Sequence, residues 1–194
     1  MAKRNNRGSQ GANNLGKLRI IGGRWRSRQL PIIEAEGLRP TTDRVRETVF
    51  NWLQQDIAGR RCLDLFAGTG ALGFEAASRG ASDVVMVEKS SAVFQQLKLN
   101  ASSLEADNVQ LLQGDAIEYL QQLTSTAEFD IVFLDPPYQS GLLPEAIAAL
   151  SLPAGAIVYV EANKAEDISV PENWLQLKDK TAGQIHYCLY EIKN

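Results

Sequence analysis

The stretch CLDLFAGTGALG, Cys62 to Gly73, decides how the rest of the chain is read. Its opening is apolar and β-prone, its middle is a glycine loop, and the run from Ala71 has helical composition. A buried strand therefore turns tightly into a helix. Gly68, Gly70 and Gly73 are spaced as G-x-G-x-x-G at the helix opening, where glycine lets the backbone approach a ligand and the helix N-terminus favours polar groups. Outward from this unit the chain alternates. Strands are expected at CLDLF, DVVMVE, VQLLQ, FDIVFL and AIVYVEA, and helices after Ala71, Ser90, Asp115 and Leu142. Such alternation predicts an α/β fold with a mainly parallel sheet covered on both faces. WLQLKDK and QIHYCLYEI follow with only a short polar turn between them, which predicts an antiparallel hairpin at the sheet edge.

The chain has 194 residues, 44% of them hydrophobic, enough for one domain of ordinary size with a small appendage. No apolar run approaches the ~20 residues needed to span a bilayer, and no apolar segment follows the basic residues of MAKRNNRGSQGANN. A cytoplasmic location with no membrane partner is expected. Cys62 and Cys188 lie far apart in strand-like runs and outside any CxxC pair, so both read as buried thiols in a reducing compartment, with no metal site expected. The formal charge of −3 hides a polarity along the chain. Up to Arg61 there are 13 Lys and Arg against 5 Asp and Glu, and beyond it 7 against 18. A basic arm on an acidic body is a candidate footprint for a phosphate backbone.

The arm reads as three parts. Residues 1–16 are expected to form a flexible basic tail, because Gly, Asn, Gln and Ser dominate them. LRIIGG and RQLPII then bracket GRWRS, which predicts a small hairpin whose exposed loop carries Arg24, Trp25, Arg26 and Arg28. In LRPTTDRVRETVFNWLQQ, Thr42 or Asp43 caps a helix lined on one face by Val45, Val49, Phe50, Trp52 and Leu53. Residues 17–58 are thus expected to form a basic extension of hairpin and helix, a candidate nucleic-acid-binding unit, and 59–194 the α/β domain. Arg39, Arg44 and Arg46 flank the PTTD turn, where they meet phosphates, pair with acids or order a lid over the site.

Acids recur at the expected strand ends. Glu88 is placed to accept ribose hydroxyls, which suits a dinucleotide or S-adenosylmethionine, and Asp115 to accept from an adenine amine. Asp64 discriminates more, because a carboxylate two residues before the loop would crowd a pyrophosphate. It suits holding the loop or meeting the cationic amino-acid end of S-adenosylmethionine. The run IVFLDPPY ends the fourth strand in a stiff corner, Asp135, Pro136, Pro137 and Tyr138, since each proline fixes φ and removes a donor. An exocyclic amine of a nucleobase is a poor nucleophile. The Asp135 carboxylate and a Pro-Pro carbonyl could take its two hydrogens and direct its lone pair, while Tyr138 stacks on the base. His186, the only histidine, lies in a β-prone run and reads as structural.

DLFAGTG, Glu88, GDA and DPPY together resemble class I S-adenosylmethionine-dependent methyltransferases of the amino-methylating type. More narrowly, LRIIGGRWRSRQLP, GLRPTTDRVRETVFNWL, FAGTGALGFEAASRGA and AGQIHYCLY are similar to the RsmD family of bacterial 16S rRNA guanine-N2 methyltransferases, from about Leu18 to Glu191. The resemblance implies a seven-stranded, mostly parallel Rossmann-like sheet with an antiparallel C-terminal hairpin and a small N-terminal hairpin and helix extension. It implies S-adenosylmethionine as cofactor and the small ribosomal subunit as partner, with the enzyme expected as a monomer. Asp64, Phe66, Gly68, Gly70, Glu88, Asp115, Ala116 and Asp135 fall on the cofactor site, Asp135 to Tyr138 on the catalytic corner, and Arg24, Arg26, Arg28, Arg39 and Arg46 on the RNA-binding set. Ser27 departs from the glycine expected in the basic hairpin.

Three classes stay open at the level of the residues: an amino-methyltransferase, an NAD-dependent oxidoreductase and a non-catalytic RNA-binding module. An oxidoreductase gives no reason for DPPY, and a decayed enzyme should have lost either the loop or the corner. Adenine-N6 methylation of RNA or DNA is the rival within the first class, since both targets are exocyclic amines.

Overall fold

The computed structural model describes residues 16–33, 42–123, 128–138 and 140–194. Strands β1 (Gly16–Arg19) and β2 (Gln29–Ile32) pair antiparallel with Leu18 opposite Leu30. There follow α1 (Asp43–Trp52), β3 (Arg61–Asp64), α2 (Ala71–Ser78), β4 (Asp83–Glu88), α3 (Ser91–Leu104), β5 (Val109–Gln113), α4 (Ala116–Gln122), β6 (Ile131–Leu134), α5 (Leu142–Ala149), β7 (Ile157–Asn163), β8 (Trp174–Ala182) and β9 (Ile185–Ile192). The large sheet has seven strands in the order β5-β4-β3-β6-β7-β9-β8. It is parallel through β7, and β9 and β8 close it antiparallel. The chain winds outward from β3 to one edge and then returns to β6. The crevice of the fold opens between β3 and β6, beyond their carboxyl ends.

Strand alternation builds two core layers. Cys62, Val84, Met86, Ile131, Phe133, Ile157 and Tyr159 pack with residues of α1, α2, α3 and the β1–β2 hairpin. Leu63, Val85, Val87, Val132, Leu134, Val158 and Val160 pack with residues of α4 and α5. Burial on both faces explains why these strands are almost continuously apolar. Thr42 is the residue that caps α1, accepting from the Val45 N–H, and Trp52 stacks on Tyr187 with centroids 5.4 Å apart. No helix among the described residues is long and apolar enough to cross a membrane.

The hairpin is fastened to α2 by buried polar bonds. Glu75, fully buried, accepts from the Ile21 and Gly22 N–H groups at 2.8 Å each and from Arg79 Nε at 2.7 Å. Ser78 accepts from the Trp25 N–H and donates to the Gly22 carbonyl, and its own carbonyl accepts from the Arg24 N–H. Gly23, at φ 74°, leaves no room for a side chain, since a Cβ there would collide with the Ser78 carbonyl. Ser27 stands in the left-handed region at φ 67°, which accounts for the expectation of glycine at that turn.

Two expectations for this region fail. Trp25 does not stand in an exposed loop: it is 7% exposed, because the loop lies down on the end of α2 and the indole joins the core. Arg46 is not an RNA contact. It is 0% exposed, donates to Asp43 and to the Arg19 carbonyl, and its Nη1 lies 3.8 Å from Glu75. Its position on α1 shares the stripe of Val49, Phe50 and Leu53, so the helix period turns it inward. Arg39 lies outside the described residues.

A second lock closes the turn between β3 and α2. Asp64, 1% exposed, accepts from the backbone N–H groups of Gly73 at 2.9 Å and of Phe66. Burial, opposed by those bonds, pushes its carboxyl up to about 7. At the sheet edge, an irregularity between Gln176 and Lys178 sets Asp179 opposite Cys188. Asp179 accepts from Gln176 and sits 3.0 Å from His186 Nε2 and 3.5 Å from Cys188 Sγ, so His186 belongs to a hydrogen-bonded trio on β8 and β9. Burial pushes the Cys188 thiol up to about 11 and the Cys62 thiol higher still.

Glu75→Ala should cost roughly 3–5 kcal/mol of unfolding free energy in a urea titration, because it removes the acceptor of Ile21, Gly22 and Arg79 and leaves Asp43 as the one carboxylate, among the described residues, beside the buried Arg46. For Asp64 the folded value lies above the ordinary 3.8, so the folded state holds a proton that the unfolded chain has lost. Its contribution is complete below about pH 4 and disappears as pH rises to about 7. The unfolding free energy of the wild type minus that of Asp64→Asn should therefore fall across this window and level off above it.

Candidate active site

Four carboxylates stand on one face of the sheet at the carboxyl ends of adjacent strands. Asp64 pairs in register with Met86 on one side and Phe133 on the other, and Phe133 pairs with Tyr159. These partners all belong to the core layer on the α1–α2–α3 side. Two residues on from Met86, Phe133 and Tyr159 come Glu88, Asp135 and Glu161, which by strand alternation face the same way. The ends of β4, β3, β6 and β7 thus carry an acidic row beside the glycine loop.

The loop itself is held from that row. Gly68 and Gly70 have φ of 50° and 81°, and a Cβ on Gly70 would press on Phe74 and Leu97. Glu88 accepts from the Gly68 N–H at 2.9 Å and the Ser90 N–H at 2.6 Å, while partial burial raises its pKa. Asp115 caps α4 by accepting from the Ile117 and Glu118 N–H groups. Lys89, 3.0 Å away, holds its carboxyl below the usual range. Ala116 is buried behind Asp115, and Phe66 packs half-buried against the α4–α5 layer. A compact, polar and acidic crevice results, with narrow glycine turns where a bulky ligand edge can approach.

The corner after β6 is half-buried at Asp135, buried at Pro136, exposed at Pro137 and half-buried at Tyr138. The Tyr138 hydroxyl donates to Glu161 Oε1 at 2.9 Å, and the Tyr159 hydroxyl donates to Oε2 at 2.7 Å. Burial first, then the charges of Glu161 and Asp135, hold the Tyr159 phenol well above its ordinary range, so it remains a donor. Glu161, 2% exposed, is the site residue that the sequence reading missed. Its signal was a lone carboxylate inside the apolar run AIVYVEA, the same kind of signal that singled out Asp64 in CLDLF.

The hairpin arginines divide. Arg26 is exposed. Arg24 is exposed too, but its guanidinium lies 4.1 Å over the Trp25 ring and donates to Asp107 and Asn108. Arg28, also exposed, donates to the Ser103 carbonyl on α3 at 2.8 Å. All three guanidinium groups lie on the surface of the hairpin, and Arg44 is exposed on α1.

Residues 18–191 match the family model described as Conserved hypothetical protein 95. The chain is 45% identical to Ribosomal RNA small subunit methyltransferase D of Escherichia coli strain K12, over 98% of this chain and 95% of that protein. It is 44% identical to the protein of the same name from Haemophilus influenzae, over 94% and 97% of the two chains. A solved structure described as a putative methyltransferase yhhF from Escherichia coli matches with a TM-score of 0.84 and 43% identity, covering 92% of this chain and 99% of that one. The chain belongs to this Conserved hypothetical protein 95 family, the RsmD family, and carries the class I S-adenosylmethionine-dependent methyltransferase fold.

Proposed function

We propose that the protein transfers a methyl group from S-adenosylmethionine to the exocyclic N2 amine of a guanine in 16S rRNA, with the assembled small subunit as substrate. The observation that carries the reading is the acidic row beside the glycine loop, with DPPY at one of its strand ends. A dinucleotide would bring its anionic pyrophosphate toward Asp64, Glu88 and Asp135. S-adenosylmethionine brings a sulfonium and an ammonium, and this charge pattern suits the row. The donor set fits it residue by residue. Glu88 can exchange its bond to Gly68 for ribose hydroxyls, Asp115 would accept from the adenine amine, and the glycine turns would admit the methionine end.

The bound cofactor supplies an electrophilic methyl on sulfur. Asp135 would accept one hydrogen of the target amine and a carbonyl of the Pro136–Pro137 segment the other, which would turn the nitrogen lone pair toward that methyl; the proton the amine gives up on methylation would leave to water past Asp135. Positive charge develops on nitrogen during transfer, and the Asp135 carboxylate favours it. Tyr138 offers its ring face to the base once the base has left its stack. Arg24, Arg26 and Arg28 would meet phosphates, giving binding that weakens with salt and reads no sequence. The enzyme is read as a monomer acting with the ribosome in the cytoplasm.

The test is transfer of labelled methyl to unmodified small subunits, deproteinised 16S rRNA and duplex DNA, followed by nucleoside analysis. N2-methylguanosine in the subunits is expected, whereas label confined to N6-methyladenine would overturn the guanine reading. In the same assay Asp135→Ala should lower turnover by about a hundredfold or more while binding S-adenosylhomocysteine within about twofold of wild type. An equal loss of cofactor affinity would place Asp135 in the other half of the site.

A further inference from the structure

Building on the methyl-transfer reading above, we infer that Glu161 is a positioning residue: it fixes the ring on which the target base stacks, acting through the Tyr138 hydroxyl. Tyr138 follows two prolines and lies outside the strands and helices, its half-buried ring packed against the core layer of α1, α2 and α3. Its hydroxyl bond to Glu161 Oε1 ties the corner to β7, a central strand paired on both sides. The other oxygen is itself anchored. Tyr159 donates to Oε2 from within the core, its ring set edge-on to Phe133 with centroids 6.3 Å apart. The carboxylate therefore stands between a rigid tyrosine and a loop tyrosine, with one oxygen for each.

Register adds the link to chemistry. β6 and β7 pair Phe133 with Tyr159 and Leu134 with Val160, and one further step in this parallel register sets Asp135 beside Glu161. A group that holds Tyr138 is thus mounted next to the group that would accept from the amine, so ring and acceptor keep a fixed relation. Stability alone gives no reason for this arrangement. A buried carboxylate costs free energy, and an apolar residue between two phenylalanines would fill the same space without it. Phenylalanine at 138 would also keep a stacking face. The hydroxyl earns its place only where the plane of that face matters.

Four proteins test this: wild type, Tyr138→Phe, Glu161→Gln and the double variant. Glutamine keeps the size of Glu161 and can accept from one tyrosine while donating to the other, so the fold should survive. Calorimetric affinity for S-adenosylhomocysteine should stay within about twofold in all four. Each single variant should lose roughly ten- to a hundredfold in kcat/KM on small subunits, and the double variant no more than the worse single, since both changes cut one linkage. Losses that multiply, or a parallel loss of cofactor affinity, would overturn the positioning role. If wild type itself labels no subunit guanine, the substrate reading fails and takes the base-stacking role with it. The tyrosine–carboxylate linkage is then judged by urea unfolding of the same four proteins, where strictly additive midpoints would overturn it as well.

Discussion

Glu75 is a negative charge with no access to water, and the placement of everything around the crevice depends on how it is satisfied. Burying such a group costs several kcal/mol unless donors replace its hydration. Two hairpin N–H groups and the Arg79 guanidinium do so, with Arg46 completing the charge balance at longer range. The Arg46 Nε and Nη1 atoms make no hydrogen bond, so this side of the network is electrostatic, not geometric. Because Glu75 and Ser78 lie on α2, the basic hairpin is bolted to the helix whose first turn is the glycine loop. Asp64 locks the other end of the same eight-residue helix through Gly73.

The acidic row follows a related logic at the strand ends. Like charges on neighbouring strands repel, and the structure spreads the cost in distinct ways. Burial raises the Asp64 pKa to about 7, with the charge of Glu88 adding to the rise, so near neutral pH it carries only part of a charge. Glu88 turns both oxygens onto backbone N–H groups. Glu161 takes a tyrosine hydroxyl on each oxygen. Negative potential is left at the mouth of the crevice beside narrow glycine turns, an arrangement suited to a cationic ligand with a flat edge.

The elements that could be read from the sequence are those set by local pattern. Apolar runs bounded by glycine, the G-x-G-x-x-G turn and the double proline each act through neighbours in the chain, so the strands of the large sheet, the loop and the DPPY corner fall within about two residues of expectation, whereas β1 ends four residues before the run LRIIGG does. Trp25 was not legible in this way, because what decides it is the end of α2; for Glu161 the lone acid in AIVYVEA marked the residue, but its partners, two tyrosines from β7 and the corner, come from separate parts of the chain. Arg46 is different. It stands three, four and seven residues before Val49, Phe50 and Leu53, on the buried stripe itself, and of the roles open to it the pairing with acids is the one it takes. The signal was present, and Glu75 supplied the charge that makes it tolerable.

Losing Arg46 and Trp25 from the surface alters what the basic arm can be. A loose arm would gain contacts with RNA at the cost of ordering itself on binding. The hairpin already has its tryptophan in the core, its backbone bonded to Glu75 and Ser78, and Arg28 bonded to α3. Its ordering has been completed in folding, and the arginines it displays are held at fixed offsets from the crevice. Such a surface has little freedom to follow a flexible strand. It is better matched to a nucleic acid whose own shape is fixed, and the proposed substrate, an RNA held in an assembled particle, meets that condition.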